Sequence, residues 1–377
     1  MQFPNDVQAA LLFDRRVTSL EEIVRAFLKL DEAQSGPRYN ISEAKPGVFY
    51  RLFGRGELMI TLEYVDNPAE MGVFQQPLGS AVTGRLCPDI RQRLAASRSH
   101  ILINVSHGVL GSVAKEPAIA SMLAAIGMQE GHSLPQFRRR LEILALLTRI
   151  AHDCTPAQVV HWTQSNQLFA GELFEGFAAA SVPGYLHIHP WLFGKPAAAG
   201  GAALAGIRTF GARHFIGREI LIEPNVLPWA ANFETILALL RVATVEKGYI
   251  IPDGDTFGPE DGSLSYRVIH REAEEGDVPL LELVPLLYRE YGFQAEDYVP
   301  RERAFDTRSP PAALMPADQE AKQELANEWR EKRALAEGIG GSFEVRARGG
   351  GGGAPTPPPT PPVGNRFARV FGRKGTS

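Results

Sequence analysis

Residues Glu219–Gly258 read EILIEPNVLPWAANFETILALLRVATVEKGYIIPDGDTFG, a stretch that predicts a strand, a helix, a second strand and a turn in succession. Ile220–Ile222 is a run of β-branched and aliphatic side chains, which is typical of a buried strand. Pro224 and Pro228 interrupt the chain after it, because proline has no backbone N–H to donate to a ladder. We therefore expect the rest of the chain to be organised around this stretch.

A helix is predicted after Pro228. Its apolar side chains recur at the spacing of one helix face, at Phe233, Ile236, Leu237, Leu240 and Ala243. Gly248 predicts the end of the helix, since glycine readily adopts the left-handed conformation that closes many helices. Tyr249–Ile251 then predicts a second buried strand, which leads into the turn Pro252–Gly258.

The composition predicts a globular protein of one or two domains. The chain has 377 residues, of which 44% are hydrophobic, and its formal net charge is -4. A charge so close to neutral gives no reason to expect a nucleic-acid or membrane partner. The two cysteines lie far apart without a ligand pattern, which excludes a disulfide framework and favours a reducing compartment. With no signal-peptide pattern and no apolar run near the roughly 20 residues that span a bilayer, we expect a cytoplasmic protein.

We predict an α+β protein with two ferredoxin-like, sheet-containing halves, an intervening helical layer and a disordered C-terminal tail. The first half, 1–115, has the order β-α-β-β-α-β. Its strands are expected at Val7–Phe13, Gly47–Leu52, Leu58–Tyr64 and His100–Val105, its helices after Ser19 and at Asp89–Ala96, and a long loop at Asn67–Cys87. The helical layer, 116–180, has its clearest helix at Leu134–Ala151. The second half, 181–300, is expected to contain strands at Tyr185–Phe193, Ile207–Phe210, Glu219–Ile222, Tyr249–Ile251 and Leu264–His270.

The last part of the chain is predicted to lie outside these halves. A charged helical extension at 301–348 contains Ala317–Gly338, whose only apolar line is Ala321, Leu325 and Trp329. A Gly/Pro-rich tail follows at 349–377, beginning with five glycines and a proline-rich run. Its end carries basic and aromatic side chains and no acid, and we single out Arg366, Phe367, Arg369, Phe371 and Arg373 as a partner-binding peptide. A disordered tail without a role is the alternative.

The turn after the second predicted strand places Asp253, Asp255 and Thr256 together, and carboxylates in a loop can bind a ligand or metal. An EF-hand loop starting at Asp253 fails, because Phe257 and Leu264 stand where oxygen ligands are required. A phosphatase-type Asp-x-Asp-x-Thr motif also fails, because Thr256 comes one residue too early. Aspartate and glycine are first of all good turn formers, so the pattern favours a structural turn over a site.

His187 and His189 form a second candidate site. Residues i and i+2 of a strand point to the same side, so both imidazoles could hold one zinc ion. A catalytic zinc needs a third protein ligand, and no spacing in the sequence selects one. The aromatic residues that follow favour a packed strand end over a metal site.

The common catalytic signatures are absent from the sequence. It has no G-x-S-x-G elbow, no G-x-x-x-x-G-K phosphate loop and no G-x-G-x-x-G fingerprint. We therefore assign no catalytic residue, no metal and no cofactor.

The segments Gly217–Pro224 (GREILIEP) and Tyr249–Gly258 (YIIPDGDTFG) resemble an uncharacterised bacterial family of domains of unknown function. The similarity extends from about Val7 to about Glu272 and leaves out the charged helix and the tail. It implies a cytoplasmic bacterial protein and supplies no catalytic residue.

We expect a non-enzymatic module that binds a protein partner, with immunity or secretion-accessory roles among those that would fit. The competing hypothesis is a metal-dependent hydrolase or ligand-binding protein, in which Asp253 and Asp255 act together with His187 or His189. It requires these groups to converge in one pocket.

Overall fold

The computed structural model describes residues 3–17, 20–35, 39–54, 58–107, 133–195, 204–245, 250–259, 261–273, 277–296 and 298. The predicted charged helix and the basic tail lie outside these residues, as do 108–115 of the expected first half and 116–132 of the expected helical layer. Within the described residues, fourteen strands assemble into two separate sheets accompanied by helices. The prediction of an α+β protein with two sheets is confirmed.

The strands and helices have the following bounds. The first sheet contains β1 (Asp6–Phe13), β2 (Tyr39–Lys45), β3 (Phe49–Gly54), β4 (Leu58–Val65), β5 (Ser99–His107), β6 (Val159–Trp162) and β7 (Gln167–Ala170). The second contains β8 (His189–Lys195), β9 (Leu204–Phe210), β10 (Glu219–Asn225), β11 (Thr256–Phe257), β12 (Leu264–Arg271), β13 (Leu280–Tyr288) and β14 (Phe293–Gln294). The helices are α1 (Leu20–Ser35), α2 (Gln75–Leu78), α3 (Ala81–Leu86), α4 (Ile90–Ala96), α5 (Leu134–Cys154), α6 (Gly171–Ala178), α7 (Arg213–Ile216) and α8 (Trp229–Val245), with 3₁₀ turns at Met71–Phe74 and Arg289–Tyr291.

The first sheet has the order β2-β3-β4-β5-β1-β6-β7, and every neighbouring pair in it is antiparallel. A ferredoxin-like half would place its first strand beside its third. Here β5 lies between β4 and β1 and pairs with both, so the strand order departs from the ferredoxin-like expectation. The physical reason is the short helices between β4 and β5, which return the chain directly beside β4 instead of carrying it across the sheet.

The second sheet has the order β11-β12-β13-β10-β9-β8, with β14 added to β13. Its strands are antiparallel except for β10 and β13, which run parallel over Glu219–Leu221. One hydrophobic cluster joins the two sheets, because it contains Leu11 of β1, Ile220 of β10 and Phe233 of α8. α8 is therefore buried on one face of the second sheet.

Four sequence predictions of secondary structure are wrong. The strand expected at Tyr185–Phe193 is β8, which begins only at His189, and Tyr185–His187 form a turn. Ile250 and Ile251 are buried as expected, but neither belongs to a strand. Asn67–Cys87 was expected to be a loop, whereas the 3₁₀ turn, α2 and α3 occupy most of it. The span 116–180 contains the expected long helix α5, but β6 and β7 follow it and belong to the first sheet. Sequence reasoning also missed β2 and β13.

Candidate functional site

Both aspartates of the 253–258 turn accept hydrogen bonds from backbone N–H groups. Oδ1 of Asp253 accepts a hydrogen bond from the backbone N–H of His270 at 2.8 Å, and Oδ1 of Asp255 accepts one from Thr256 N–H at 2.8 Å. Gly254 has a φ of 81°, where a side chain would be strained, and its N–H donates to the carbonyl of Val268 at 2.7 Å. Thr256 itself begins β11. The turn is thus tied to β12 as an extension of the sheet.

The two predicted histidine ligands have different surroundings. His187 precedes β8 in a turn of the chain and is fully buried, with its ring 5.8 Å from Trp162 and 6.3 Å from Phe215. Its Nδ1 accepts from the N–H of Gly184 at 3.3 Å, and burial lowers the pKa of His187 to about 3. His187 is therefore a neutral packing residue at physiological pH.

His189 is the first residue of β8 and is held by polar partners. Its Nδ1 lies 3.2 Å from the carbonyl of Asn166, and its Nε2 lies 2.8 Å from Oγ of Ser80. A carbonyl can only accept, so Nδ1 carries the proton and Nε2 accepts from the Ser80 hydroxyl. Burial lowers the pKa of His189 to about 4. Both ring nitrogens are thus engaged in fixing β8 to the start of α3.

The structure does not bring the predicted aspartates and histidines together. His189 lies in β8, at one end of the described strand order, while the aspartate turn borders β11 and β12 at the other. Four or five strand spacings of about 4.8 Å separate them, a distance of about 19–24 Å. One metal ion or one acid–base pair cannot use groups so far apart. Among the described residues, no three His, Cys, Asp or Glu side chains are grouped so that they could hold a metal ion.

Asn166, which sequence reasoning missed, connects β6, α2 and β8. Its side chain contacts the first two, and its backbone carbonyl contacts His189 of β8. It has a φ of 49°, in the left-handed region that Asn tolerates better than most residues. Its Oδ1 lies 2.9 Å from Nε2 of His161 in β6, and its Nδ2 donates to Gln76 of α2 at 3.0 Å. Burial lowers the pKa of His161. This partly buried polar junction links the first sheet to the start of β8, and an Asn in the four-residue loop between β6 and β7 was its only sequence signal.

The thiol groups are not poised as nucleophiles. Burial, and then a hydrogen bond to Asp89, raise the pKa of Cys87 to about 12. Burial also raises the pKa of Cys154. Since the thiolate is the reactive form, both cysteines are expected to be inert at neutral pH.

The second sheet has one face in the core and one face outside it. The register places Trp191, Arg208, Leu221, Glu282 and Ile269 opposite one another in a single row across β8, β9, β10, β13 and β12. Directly paired residues point to the same side of a sheet, and so do their neighbours at i±2. The row and those neighbours therefore define a face opposite to the one that carries Ile220.

Six apolar side chains on this face are only partly buried: Trp191, Phe193, Phe210, Ile269, Leu280 and Val284. None of them belongs to either hydrophobic cluster of the described residues. We name them, with the charged side chains among them, the open face. The Trp191 and Phe210 rings lie 5.9 Å apart at 87°, an edge-to-face pair at its β8 end. A contiguous apolar patch on a protein surface often marks a site of interaction with a partner or ligand.

The charges on the open face are largely paired. Arg208 donates to Asp277, in the turn before β13, at 2.8 Å, and Arg271 donates to the buried Glu282 at 2.7 Å. Arg267, opposite Val284, is the third guanidinium. A nucleic-acid platform needs a track of cations for phosphates, and here carboxylates engage Arg208 and Arg271. Aromatic and arginine side chains around an apolar centre instead resemble a protein-binding surface.

No protein family model matches the sequence, and comparison with curated proteins and with solved structures gives no significant match. The resemblance to the bacterial family therefore stays a prediction. In the described part of the chain, no helix has both the length and the apolar character needed to cross a membrane.

Proposed function

We propose that this protein is a non-enzymatic interaction module that binds a protein partner through the open face. The observation that carries the proposal is the group of six partly exposed apolar side chains outside both hydrophobic clusters. Each completely buried CH₂ contributes about 0.8 kcal/mol, so covering aromatic and aliphatic groups of this size would supply most of the energy that a specific interface needs.

The chemistry of the predicted sites supports binding over catalysis. The candidate histidines are neutral and packed: His187 accepts a hydrogen bond at Nδ1 from Gly184, and both ring nitrogens of His189 have local partners. The candidate carboxylates accept from backbone N–H groups of the sheet. A cytoplasmic bacterial setting, with an immunity or secretion-accessory role among the options, is part of the same proposal.

Substitutions on the open face test the proposal. Val284→Asp and Phe193→Asp each place a charge among its apolar side chains, and a partner should be lost because burying an unpaired charge is strongly unfavourable. Phe53→Asp in β3 is the matched control, since Phe53 is a large apolar side chain that is 36% exposed on the other sheet. Circular dichroism and thermal melting verify that all three variants fold.

The assay is affinity capture from the native cell, followed by binding measurements with the purified candidate. A partner that binds wild type and Phe53→Asp but not Val284→Asp or Phe193→Asp supports the proposal. A partner that binds all four proteins equally would show that the open face is not its binding site.

The basic tail peptide, Arg366–Arg373, is a second predicted contact within the same function. The tail from residue 349 onwards contains four basic residues and no acid. Its attraction to an acidic partner should fade as salt screens it, with a Debye length of about 8 Å at physiological ionic strength. Capture at low and high salt, with full-length protein and protein truncated after Arg348, measures this contribution.

A further inference from the structure

Four of the nine histidines lie where the two sheets meet. They are His161 in β6, His187 just before β8, His189 at the first position of β8, and His214 in α7. Among the described residues no strand of one sheet pairs with a strand of the other, so side-chain packing and a few polar contacts hold the sheets together. We call these four side chains the histidine seam.

His187 is packed between the two sheets in its neutral form. Its ring lies 5.8 Å from that of Trp162 in β6 and 6.3 Å from that of Phe215 in α7. Nδ1 accepts from the N–H of Gly184 at 3.3 Å, so the proton of the neutral ring is on Nε2, for which the described residues offer no hydrogen-bond partner. A second proton at Nδ1 would break the bond to Gly184 and leave a charged ring between aromatic side chains. Burying a charge in this way is strongly unfavourable.

His161 and His189 share Asn166 as a partner. The side-chain oxygen of Asn166 lies 2.9 Å from Nε2 of His161, and its backbone carbonyl lies 3.2 Å from Nδ1 of His189. Nε2 of His189 accepts from the hydroxyl of Ser80, at the start of α3, at 2.8 Å. The ring of Phe74 lies 5.2 Å from that of His161, at 86°. Both imidazoles are thus held by neutral groups, which cannot compensate a positive charge.

The charged groups around the seam do not favour protonation either. The ring of His214 lies 6.1 Å from that of Phe137 in α5, and the fully buried Arg140 lies 5.8 Å from the same Phe137 ring. Arg213 is adjacent to His214, and its charge lowers the pKa of His214 further after burial has done so. Glu219 of β10 lies 3.9 Å from Arg213 and accepts from two backbone N–H groups just before α7, so it is held on the second-sheet side. In the described part of the chain, no carboxylate forms a hydrogen bond or ion pair with a ring of the seam.

We propose that the histidine seam is a pH-sensitive switch, and that protonation of its rings below about pH 6 parts the two sheets while the strands within each sheet stay paired. The inference goes beyond the proposed function, because it concerns a contact inside the chain and not the open face. Its failure would therefore leave the proposed function standing.

Opening of the seam takes up protons. In water each ring has a pKa of about 6.5, whereas burial lowers the pKa of His187 to about 3 and the pKa values of His189 and His214 to about 4. The closed form is therefore fully favoured above about pH 6.5 and loses stability as the pH falls. Each proton taken up changes the opening constant about tenfold per pH unit, so two to four rings change it about 10²- to 10⁴-fold. Burial raises the pKa of Glu219, which acts in the opposite direction but involves at most one proton.

Hydrogen exchange followed by mass spectrometry on the full chain tests the inference, with exchange times corrected for the pH dependence of the chemical exchange step. The segment 184–188 and α7 have N–H groups that are hydrogen-bonded at the seam. Between pH 6 and pH 5 their peptides should lose at least about a hundredfold in protection. Peptides of β4 and β12, which lie within the two sheets, should change by less than about threefold.

Substitution of single histidines tests the cause. The slope of the logarithm of the opening constant against pH should correspond to about two to four protons in wild type, and should fall by about one in His187→Asn and in His189→Gln. His100→Asn is the matched control, because His100 lies in β5 with its Nδ1 2.9 Å from the carbonyl of Asn67, and it should keep the wild-type slope. A packing role alone would weaken protection at both pH values without changing the slope.

Three results would overturn the inference. The first is unchanged protection of 184–188 and α7 at pH 5. The second is a simultaneous loss of protection in β4 and β12, which is ordinary acid unfolding. The third is a wild-type slope in both seam variants. The first two come from the wild type, so they decide the question even where a variant fails to fold.

Discussion

Leu240→Ala should be among the most destabilising single substitutions in α8. Leu240 is fully buried, in the cluster that joins the two sheets. The substitution removes three carbon atoms, which is about 2.4 kcal/mol at about 0.8 kcal/mol for each buried CH₂ group. The cavity left behind adds about 1–2 kcal/mol when the surroundings do not collapse, so the total loss of unfolding free energy is about 3.5–4.5 kcal/mol.

Urea unfolding followed by circular dichroism measures this loss as a shift of the midpoint at constant slope. For a chain of this size the melting temperature should fall by about 5–8 °C. Leu237→Ala, at a position that is 7% exposed, should cost slightly less and still at least about 2 kcal/mol. Val226→Ala is the control, because Val226 is 69% exposed and should cost less than about 0.5 kcal/mol. A loss below about 0.5 kcal/mol for Leu240→Ala would show that α8 is not buried between the sheets.

Three further predictions concern single side chains, and a fourth concerns the tail. Asp255→Asn should change the free energy of unfolding by less than about 1 kcal/mol, because the amide oxygen can still accept from Thr256 N–H. Calorimetry on wild type should show no stoichiometric binding of Mg²⁺, Mn²⁺, Ca²⁺ or Zn²⁺. Tight metal binding to wild type that Asp255→Asn abolishes would restore the metal hypothesis. The pKa of His187 is lowered to about 3, below about 6.5 in the unfolded chain, so stability falls as the pH drops below about 6.5. Urea unfolding should show that His187→Asn removes about 2 kcal/mol of the difference between pH 7 and pH 5; an unchanged difference would mean that His187 titrates normally. Cys87, with its pKa raised to about 12, should react with a thiol reagent at pH 8 far more slowly in folded than in urea-unfolded protein, and rapid labelling of the folded protein would contradict its burial. Truncation after Arg348 should leave the melting temperature within about 2 °C, and a larger fall would show that the tail packs on the body.

The elements that the sequence predicted well have apolar side chains that recur on one face, or a residue pattern that marks their first residue. α5 was expected at Leu134–Ala151 and is found at Leu134–Cys154. Ser133 begins it with a capping box, in which Gln136 N–H donates to the Ser133 hydroxyl oxygen and Ser133 N–H to the Gln136 side chain. α8 was recognised because its buried face repeats at helical spacing. β10 and β12 each begin two residues after a glycine, Gly217 and Gly262, and these glycines indicated where the strands start.

The elements that were missed lack such signals. β2 is exposed at every residue after Tyr39, so it has no alternation of apolar and polar side chains. β6 and β7 are four residues each and buried throughout, which gives no periodicity at all. β13 contains Glu282 and Pro285, two residues that argue against a central strand. Glu282 is tolerated because Arg271 pairs with it.

The candidate site could not be predicted because it depends on strand order. Trp191 and Val284 are far apart in sequence and share a face only through the pairing of β8, β9, β10 and β13. One sequence signal did exist. Strands such as β13 are apolar on both faces, which is typical of strands covered on both sides, and yet the described sheet leaves one side partly exposed.

The position of β1 between β5 and β6 in the first sheet has a consequence for synthesis. Phe13 pairs with Ser99, and Ala9 pairs with Trp162, more than 150 positions later. At about 5–20 residues per second, a ribosome needs roughly 8–30 s after β1 to make its second partner. Throughout that interval β1 lacks its partner β6, so Leu11, which is fully buried in the finished protein, lies in an incomplete sheet. Nascent chains of this protein should therefore depend on chaperones that shield an apolar strand until β6 emerges.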